Sequence, residues 1–385
     1  MKGNITRRGA KSWRIKFDIG KDPVTGKRRT QFLTVKGSKK NAQVVLTRKL
    51  AEFADGHLIE QSTVTVAEYT RHWIEAIAPA RTGDKTRERY REIIEKHIIP
   101  RLGSIALQRL DGASIDDFYA HLRTNGRRDG KGGLAAQTVQ HIHRLLSQIL
   151  RSAVTAQKLR QSPMVAVQTT PKVRRKEIQV LDDKDLAALF RHLKGRPLYM
   201  PVLLASSTGM RRGEVLALRW QDVDFERTTL RVAQVVEQTT GALKLKEPKT
   251  ERSRRTIALP DRLMQDLRQH RREQAAWRLK MGLGKDKQDL VFPAWDGELR
   301  TPSIFSKDFS REIAAANLPR ITFHGLRHTH ITHLLRSGVP VHVVAERAGH
   351  ANPTVTLNIY AHLLPGQQES AAAVVDAALR TALEG

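Results

Sequence analysis

The apolar positions change period once within the first sixty residues. Trp13, Ile15, Phe17 and Ile19 alternate with Arg14, Lys16 and Asp18, the two-residue period of a half-buried strand. DPVTGKRR (22–29) then reads as a turn and TQFLTV (30–35) as a returning strand. In SKKNAQVVLTRKLAEFADG (38–56) the spacing becomes helical through Ala42, Val45, Leu46, Lys49, Leu50 and Phe53, with Gly56 placed to end the helix. The expected unit over residues 1–62 is a three-stranded sheet with one helix.

From about Val64 the helical period takes over, in VAEYTRHWIEAIA, KTRERYREIIEKHIIPRLG, SIDDFYAHLRTNG and AQTVQHIHRLLSQILRSAVTAQKL. The loop GRRDGKGG separates the last two, and QTTPKVRRKE (168–177) is polar, basic and Pro-containing, as a linker would be. A second domain is therefore expected over 63–173 and a third over 174–385. In the third, LDDKDLAALFRHL and PLYMPVLLASSTG read as helices, and TTLRVAQVV, ALKL and RRTIAL as short strands. Most of the remainder to Leu364 is again helical. No fixed-period repeat is evident. The predicted fold class is multidomain and mainly α with small β-sheets (α+β).

Composition narrows the partners. The chain has 385 residues, too many for one ordinary core. Its 67 Lys and Arg against 39 Asp and Glu give a net charge of +28, a field that favours a polyanion such as duplex DNA. Residues 1–62 are the most basic segment, with 15 basic and 5 acidic side chains. A solvated basic surface is the alternative reading. Without cysteine there is neither a disulfide framework nor a Cys-based zinc site. No apolar run approaches the roughly twenty residues that span a bilayer, and the N-terminus lacks the apolar core of a signal peptide. A soluble, cytoplasmic protein with no membrane partner is expected.

Four segments carry candidate chemistry. In Thr208-Gly209-Met210-Arg211-Arg212-Gly213-Glu214, two glycines flank a basic pair, suggesting a tight junction that aims Arg211 at an anion; an exposed helix-to-helix turn is the alternative. In His324-Gly325-Leu326-Arg327-His328, a helical turn of about 100 degrees per residue puts His324 and Arg327 on the side of Ile331, Leu334 and Leu335, with His330 and His333 elsewhere. An inward arginine needs an anion, either a buried carboxylate or a bound phosphate. His324 and His328 could instead chelate zinc, but no Glu lies between them and no third ligand has a telling spacing; no metal or cofactor is expected. Lys249, in KEPKTERSRRTIAL between two strand candidates, could extend an ammonium from a hairpin tip, with Lys244, Lys246, Arg252 and Arg254 as rivals. Ala348-Gly349 looks like a helix C-terminus before His350. Asn352-Pro353 then opens a short helix that ends near Tyr360, a lone phenol ten residues after His350.

Taken in order, these segments resemble the tyrosine recombinases, the phage integrase family, over essentially the whole chain. The resemblance implies catalytic roles for Arg211, Lys249, His324, Arg327, His350 and Tyr360, with Glu214 at an acidic position that supports the site. Ala348 departs from the family's frequent leucine at that point. On the same ground, 1–62 is implied to be an arm-type DNA-binding domain, 63–173 a helical core-binding (SAM-like) domain and 174–385 the mixed α/β catalytic domain with a C-terminal tail. The implied activity is site-specific recombination of a phage or mobile element. Tyr360 would attack the scissile phosphate, His324 accept its proton and Lys249 protonate the leaving oxygen. The implied partners are double-stranded DNA at core and arm sites, three further copies of the chain in a tetramer on that DNA, a directionality factor and a host DNA-bending protein. The rival readings are a topoisomerase-like relaxing enzyme and a non-catalytic DNA-binding regulator.

Overall fold

The structure is a computed structural model that describes residues 3–21, 25–54, 62–173, 178–248, 250–282, 284, 288–360 and 367–384. The chain divides into two compact units, Met1–Arg175 and Lys176–Gly385. Among the described residues helices predominate, with three small antiparallel sheets.

The first unit opens on the sheet β1 (Gly3–Gly9), β2 (Ser12–Lys21) and β3 (Arg28–Lys36), in that spatial order, followed by α1 (Lys39–Ala54). The apolar alternation located β2 and β3 but not β1, where Ile5 is the single large apolar residue. Pairing supplies what the pattern lacks: Ile5 sits opposite Ile15, which sits opposite Leu33. Ile15 and Phe17 pack with Ala42 and Leu46 of α1 into a core. The other face presents the cross-strand rows Asn4–Lys16–Phe32 and Thr6–Arg14–Thr34 to solvent. Gly56, expected to end α1, lies outside the described residues.

The helical part contains α2 (Val66–His72), α3 (Asp84–Ile93), α4 (Ile99–Leu102), α5 (Gly112–Asn125) and α6 (Ala136–Thr155). Thr65 and Glu68 cap α2 reciprocally, which satisfies amide donors that the first turn would otherwise leave open. Two widened turns, Trp73–Ile77 and Ile94–Ile98, continue α2 and α3. Each delivers two residues to the core: Trp73 and Ile74, and Ile94 and Ile98. Val139, Ile142, Leu146, Ile149 and Ala153 form the buried stripe of α6 at three- and four-residue spacing.

The second unit begins with α7 (Asp183–Leu193), α8 (Tyr199–Thr208) and α9 (Arg212–Leu216). A sheet of β4 (Val223–Asp224), β5 (Thr229–Val232) and β8 (Arg255–Ala258) and a hairpin of β6 (Val235–Thr239) and β7 (Ala242–Lys246) follow. The remaining helices are α10 (Asp261–Lys280), α11 (Pro302–Ala315), α12 (Phe323–Arg336), α13 (Val341–Ala348), α14 (Pro353–Tyr360) and α15 (Gln367–Glu384). The main core joins α8, α9, both small sheets, α10, α11 and the start of α12. A second cluster joins Ile331 and Leu335 of α12 with Val344, Ala348 and Tyr360.

Packing around α12 corrects one reading of its wheel. His330 does not project away from the interior; it is buried against Ser206 of α8, and Thr329 and Thr332 in the same stretch are buried as well. Helices α8, α11 and α13 pack on α12, so its solvent face narrows to positions such as His324, His333 and Arg336.

Candidate active site

Arg211 is placed by two helix ends. α8 stops at Gly209 in the left-handed conformation (φ +66°), where a Cβ would lie 2.7 Å from Cδ2 of His330. The chain then re-enters a helix at α9 with Arg211 as its N-cap. Glu214 accepts hydrogen bonds from the Arg211 backbone N–H at 2.9 Å and from its Nη1 at 2.8 Å, while Nη2 donates to the Gly349 carbonyl at 2.9 Å.

Glu214 is 3% exposed and takes a second arginine. Arg255 Nη2 donates to it at 3.0 Å, and Arg255 Nε donates to the Arg347 carbonyl at 2.7 Å. Arg255 thus ties β8 to α9 and to the end of α13. The sequence reading missed it, although it directly follows Arg254, one of the rivals weighed for Lys249. Its signal was a strand position facing inward, since the burial of β8 alternates beginning with Arg255. Gly349, also left-handed (φ +67°), allows the close approach; a Cβ there would lie 2.9 Å from Nη1 of Arg255.

Arg327 emerges from the second turn of α12, whose start is capped by Thr322. It is 2% exposed. Its Nη1 donates to the Gly209 carbonyl at 2.8 Å, and its Nη2 is buried with no hydrogen-bond partner among the described residues. On the same helix His324 and His328 meet edge to face, ring centroids 4.8 Å apart. His350, just past α13, shares a 2.7 Å hydrogen bond between Nδ1 and the hydroxyl of buried Thr356. Tyr360 closes α14 at 1% exposure, and its hydroxyl lies 2.5 Å from Nδ1 of His328.

Lys249 lies outside the described residues, on the connection between β7 and β8. Of its rivals, Lys246 pairs with Glu237, Arg254 with Glu247, and Arg252 donates to the Ala351 carbonyl beside His350. Among the described residues no group of three histidines or carboxylates could hold a metal ion.

Two family models match the chain: phage integrase family over residues 179–367, and the N-terminal SAM-like domain of phage integrases over 65–123. The chain is a tyrosine recombinase of the phage integrase family. It is 29% identical to a tyrosine recombinase XerC-like protein of Caldanaerobacter subterraneus subsp. tengcongensis, covering 96% of this chain and 97% of the relative. With the ICEBs1 integrase of Bacillus subtilis it shares 25% identity over 94% and 96% of the two chains. Its fold is similar to that of the Tn1549 transposon integrase in complex with a circular-intermediate DNA. The TM-score is 0.66 at 20% identity, over 81% of this chain and 99% of that one.

The electrostatics of this recombinase site follow from crowding cations into a desolvated cleft. Burial first, and then the Arg211 charge, push the Arg327 pKa down to about 9, so it stays cationic at neutral pH with less than the usual margin. Desolvation followed by the Arg327 and Arg211 charges takes His350 to about 4. His324 also falls to about 4. It is open to solvent on part of its surface, yet the atoms packed around it desolvate the ring, and His328, Arg327 and Arg211 add repulsion. Burial raises the Tyr360 phenol to about 12, with Arg327 working against the rise. Neutral histidines and a neutral phenol therefore surround two fixed guanidinium groups, a field that a bound anion would relieve.

Proposed function

We propose that the protein integrates, and excises, a phage or other mobile element by cutting and rejoining DNA through a 3'-phosphotyrosyl intermediate at Tyr360. The observation that carries this reading is the buried Arg327 Nη2, which has no partner among the described residues and belongs to the same cationic cluster as Arg211. Such an orphan donor is costly to bury and is matched by a nonbridging phosphate oxygen. Arg211 and Arg327 would bind those oxygens and stabilise the charge that develops on pentacoordinate phosphorus. With His350 Nδ1 engaged by Thr356, its Nε2 is left to donate a further hydrogen bond. Lys249 would protonate the leaving 5'-oxygen, and a histidine of the 324/328 pair would accept the tyrosine proton. The phosphoester energy is kept in the enzyme–DNA bond, so strand transfer needs neither water nor a nucleotide.

Residues 1–62 would read arm-site DNA with the solvent face of the sheet, where the Arg14 and Lys16 cations lie over the half-exposed Phe32 ring. Residues 63–173 would clamp the crossover duplex. Two duplexes exchanging strands need four active sites, hence a tetramer on DNA, with a directionality factor and a DNA-bending protein as accessory partners.

The test uses nicked duplexes built from the junctions of the element that carries this gene, resolved on denaturing gels. Wild-type protein is expected to form a covalent protein–DNA adduct, and Tyr360→Phe to bind the same duplex without forming one. An adduct that persists in Tyr360→Phe sinks the assignment.

A further inference from the structure

The nucleophile's hydrogen bond runs to a histidine that the motif reading gave no catalytic part. Tyr360 Oη lies 2.5 Å from His328 Nδ1, and the two rings are 5.6 Å apart and tilted by 51°. His324 stands behind His328, edge-on to its ring at 88°. Among the described residues, the titratable and charged neighbours of His328 are thus Tyr360 from α14 and His324 and Arg327 from its own helix. Desolvation, then the Arg327 charge, hold His328 below the usual histidine range, so at neutral pH its ring has a free lone pair. The phenol it meets has a pKa of about 12 and does not ionise unaided. Because Arg327 acts on both groups, the pair lies within the field of the guanidinium proposed to hold the phosphate.

We propose that His328 is a catalytic residue of strand transfer: with its hydrogen on Nε2, its Nδ1 accepts the Tyr360 hydroxyl hydrogen bond and takes that proton as the phenol attacks phosphorus. This rests on the phosphotyrosyl reading above and assigns to His328 the part first given to His324. In the step, the Tyr360 O–H bond breaks and its proton moves to Nδ1. The phenol oxygen bonds to phosphorus as the bond from phosphorus to the 5'-oxygen breaks. That oxygen leaves with the electron pair and is protonated by Lys249. When an incoming 5'-hydroxyl attacks the phosphotyrosyl link, its O–H proton passes to the now neutral Lys249 amine, its oxygen bonds to phosphorus as the bond from phosphorus to the phenol oxygen breaks, and that departing oxygen recovers the proton from His328.

The experiment measures adduct formation by the full-length protein on nicked junction duplexes. One duplex carries the ordinary oxygen, and the other a sulfur at the 5'-bridging position, a leaving group that needs no acid. His328→Ala is expected to slow the adduct at least about 100-fold, the usual worth of a positioned base, while still binding the duplex, and the sulfur substrate should not restore the rate. A difluorotyrosine at position 360, whose phenol is more acidic, should restore part of it. His328→Asn, close in shape, serves as the folding control and is expected to bind DNA and unfold like wild type. Cleavage by His328→Ala at the wild-type rate overturns the proposal. Restoration by sulfur also overturns it, by assigning His328 to the leaving group, as does a His328→Ala protein that difluorotyrosine does not help. If wild type itself yields no Tyr360-dependent adduct, the phosphotyrosyl reading has failed, a result separate from any effect at His328.

Discussion

One carboxylate, Glu214, sets the geometry of two arginines. Burial acts to raise its pKa, and the Arg255 and Arg211 charges with their hydrogen bonds more than reverse this, so the group stays ionised well below the usual range. With side-chain exposures of 5% and 3%, the Arg255–Glu214 pair is shielded from salt and water. Removing the charge from one partner strands the other, at about 3–5 kcal/mol for a buried pair. Glu214→Gln is therefore expected to lower the unfolding free energy by about that amount and to reduce adduct formation more steeply than DNA affinity, because Arg211 loses the support of its guanidinium. Denaturant unfolding of the variant settles the first part; a loss below about 0.5 kcal/mol, typical of a surface change, would mean that the pair is not a structural unit. The same geometry limits what motifs convey: Arg211 and Arg327 carry a recognisable signature, whereas Arg255, which shares Glu214 with Arg211, was overlooked.

At the scale of elements, α12 carries histidines held in their neutral form: His330 is buried, His328 half-buried, and His324 desolvated by its packing although part of it meets solvent. His330 fixes its tautomer by two contacts, Nδ1–H donating to the Ser206 carbonyl at 2.9 Å and Nε2 accepting from Arg347 Nε at 3.2 Å. A proton on Nε2 would break the second. Burial, then the Arg347 charge, put His330 near 3, and His324 and His350 lie near 4, against 6.5 for an unperturbed ring. The unfolded chain therefore takes up protons that the fold refuses. The stabilising contribution of the neutral rings is complete above about pH 6.5 and declines as pH falls from there toward the folded values. Thermal unfolding of the DNA-free protein should show its midpoint dropping through that window before most carboxylates titrate, with a shallower drop in His330→Gln. A midpoint that stays flat from neutral pH down to the carboxylate range would contradict this assignment of buried neutral histidines. Two left-handed glycines, at 209 and 349, make the assembly feasible by turning α8 and α13 sharply enough for their carbonyls to receive Arg327 and Arg211.

For the whole molecule, the ends of the chain make the larger predictions. The described side chains of α15 are exposed, and Val374, Val375, Leu379 and Leu383 stay open to solvent at 53% or more. Such a helix gains little in water by itself, and in the proposed tetramer on DNA it would dock on a neighbouring subunit. Deleting residues 367–385 should impair synapsis in mobility-shift assays more than binding of a single core duplex; equal losses would argue against docking in trans. A chain starting near Val64 should keep core-site binding and lose affinity for arm-site DNA. Undiminished arm-site binding would instead make the N-terminal sheet a protein-contact module. Affinity at both sites should fall steeply with salt, given a net charge of +28.

Periodicity, punctuation and charge depend on near neighbours in the chain, and they made β2, β3, the long helices, the caps at Gly349 and Asn352 and the basic polyanion-binding character legible in the sequence alone. The ordered motifs went further and pointed to a family. β1 escaped because a lone apolar residue has no period; only pairing with β2 gives it a register. Arg255, the buried face of His330 and the bond between Tyr360 and His328 join residues 41, 124 and 32 positions apart. No local pattern encodes which of several histidines a phenol will meet. That choice was made when α14 packed on α12, because hydrogen bonding and desolvation act through space and not along the chain.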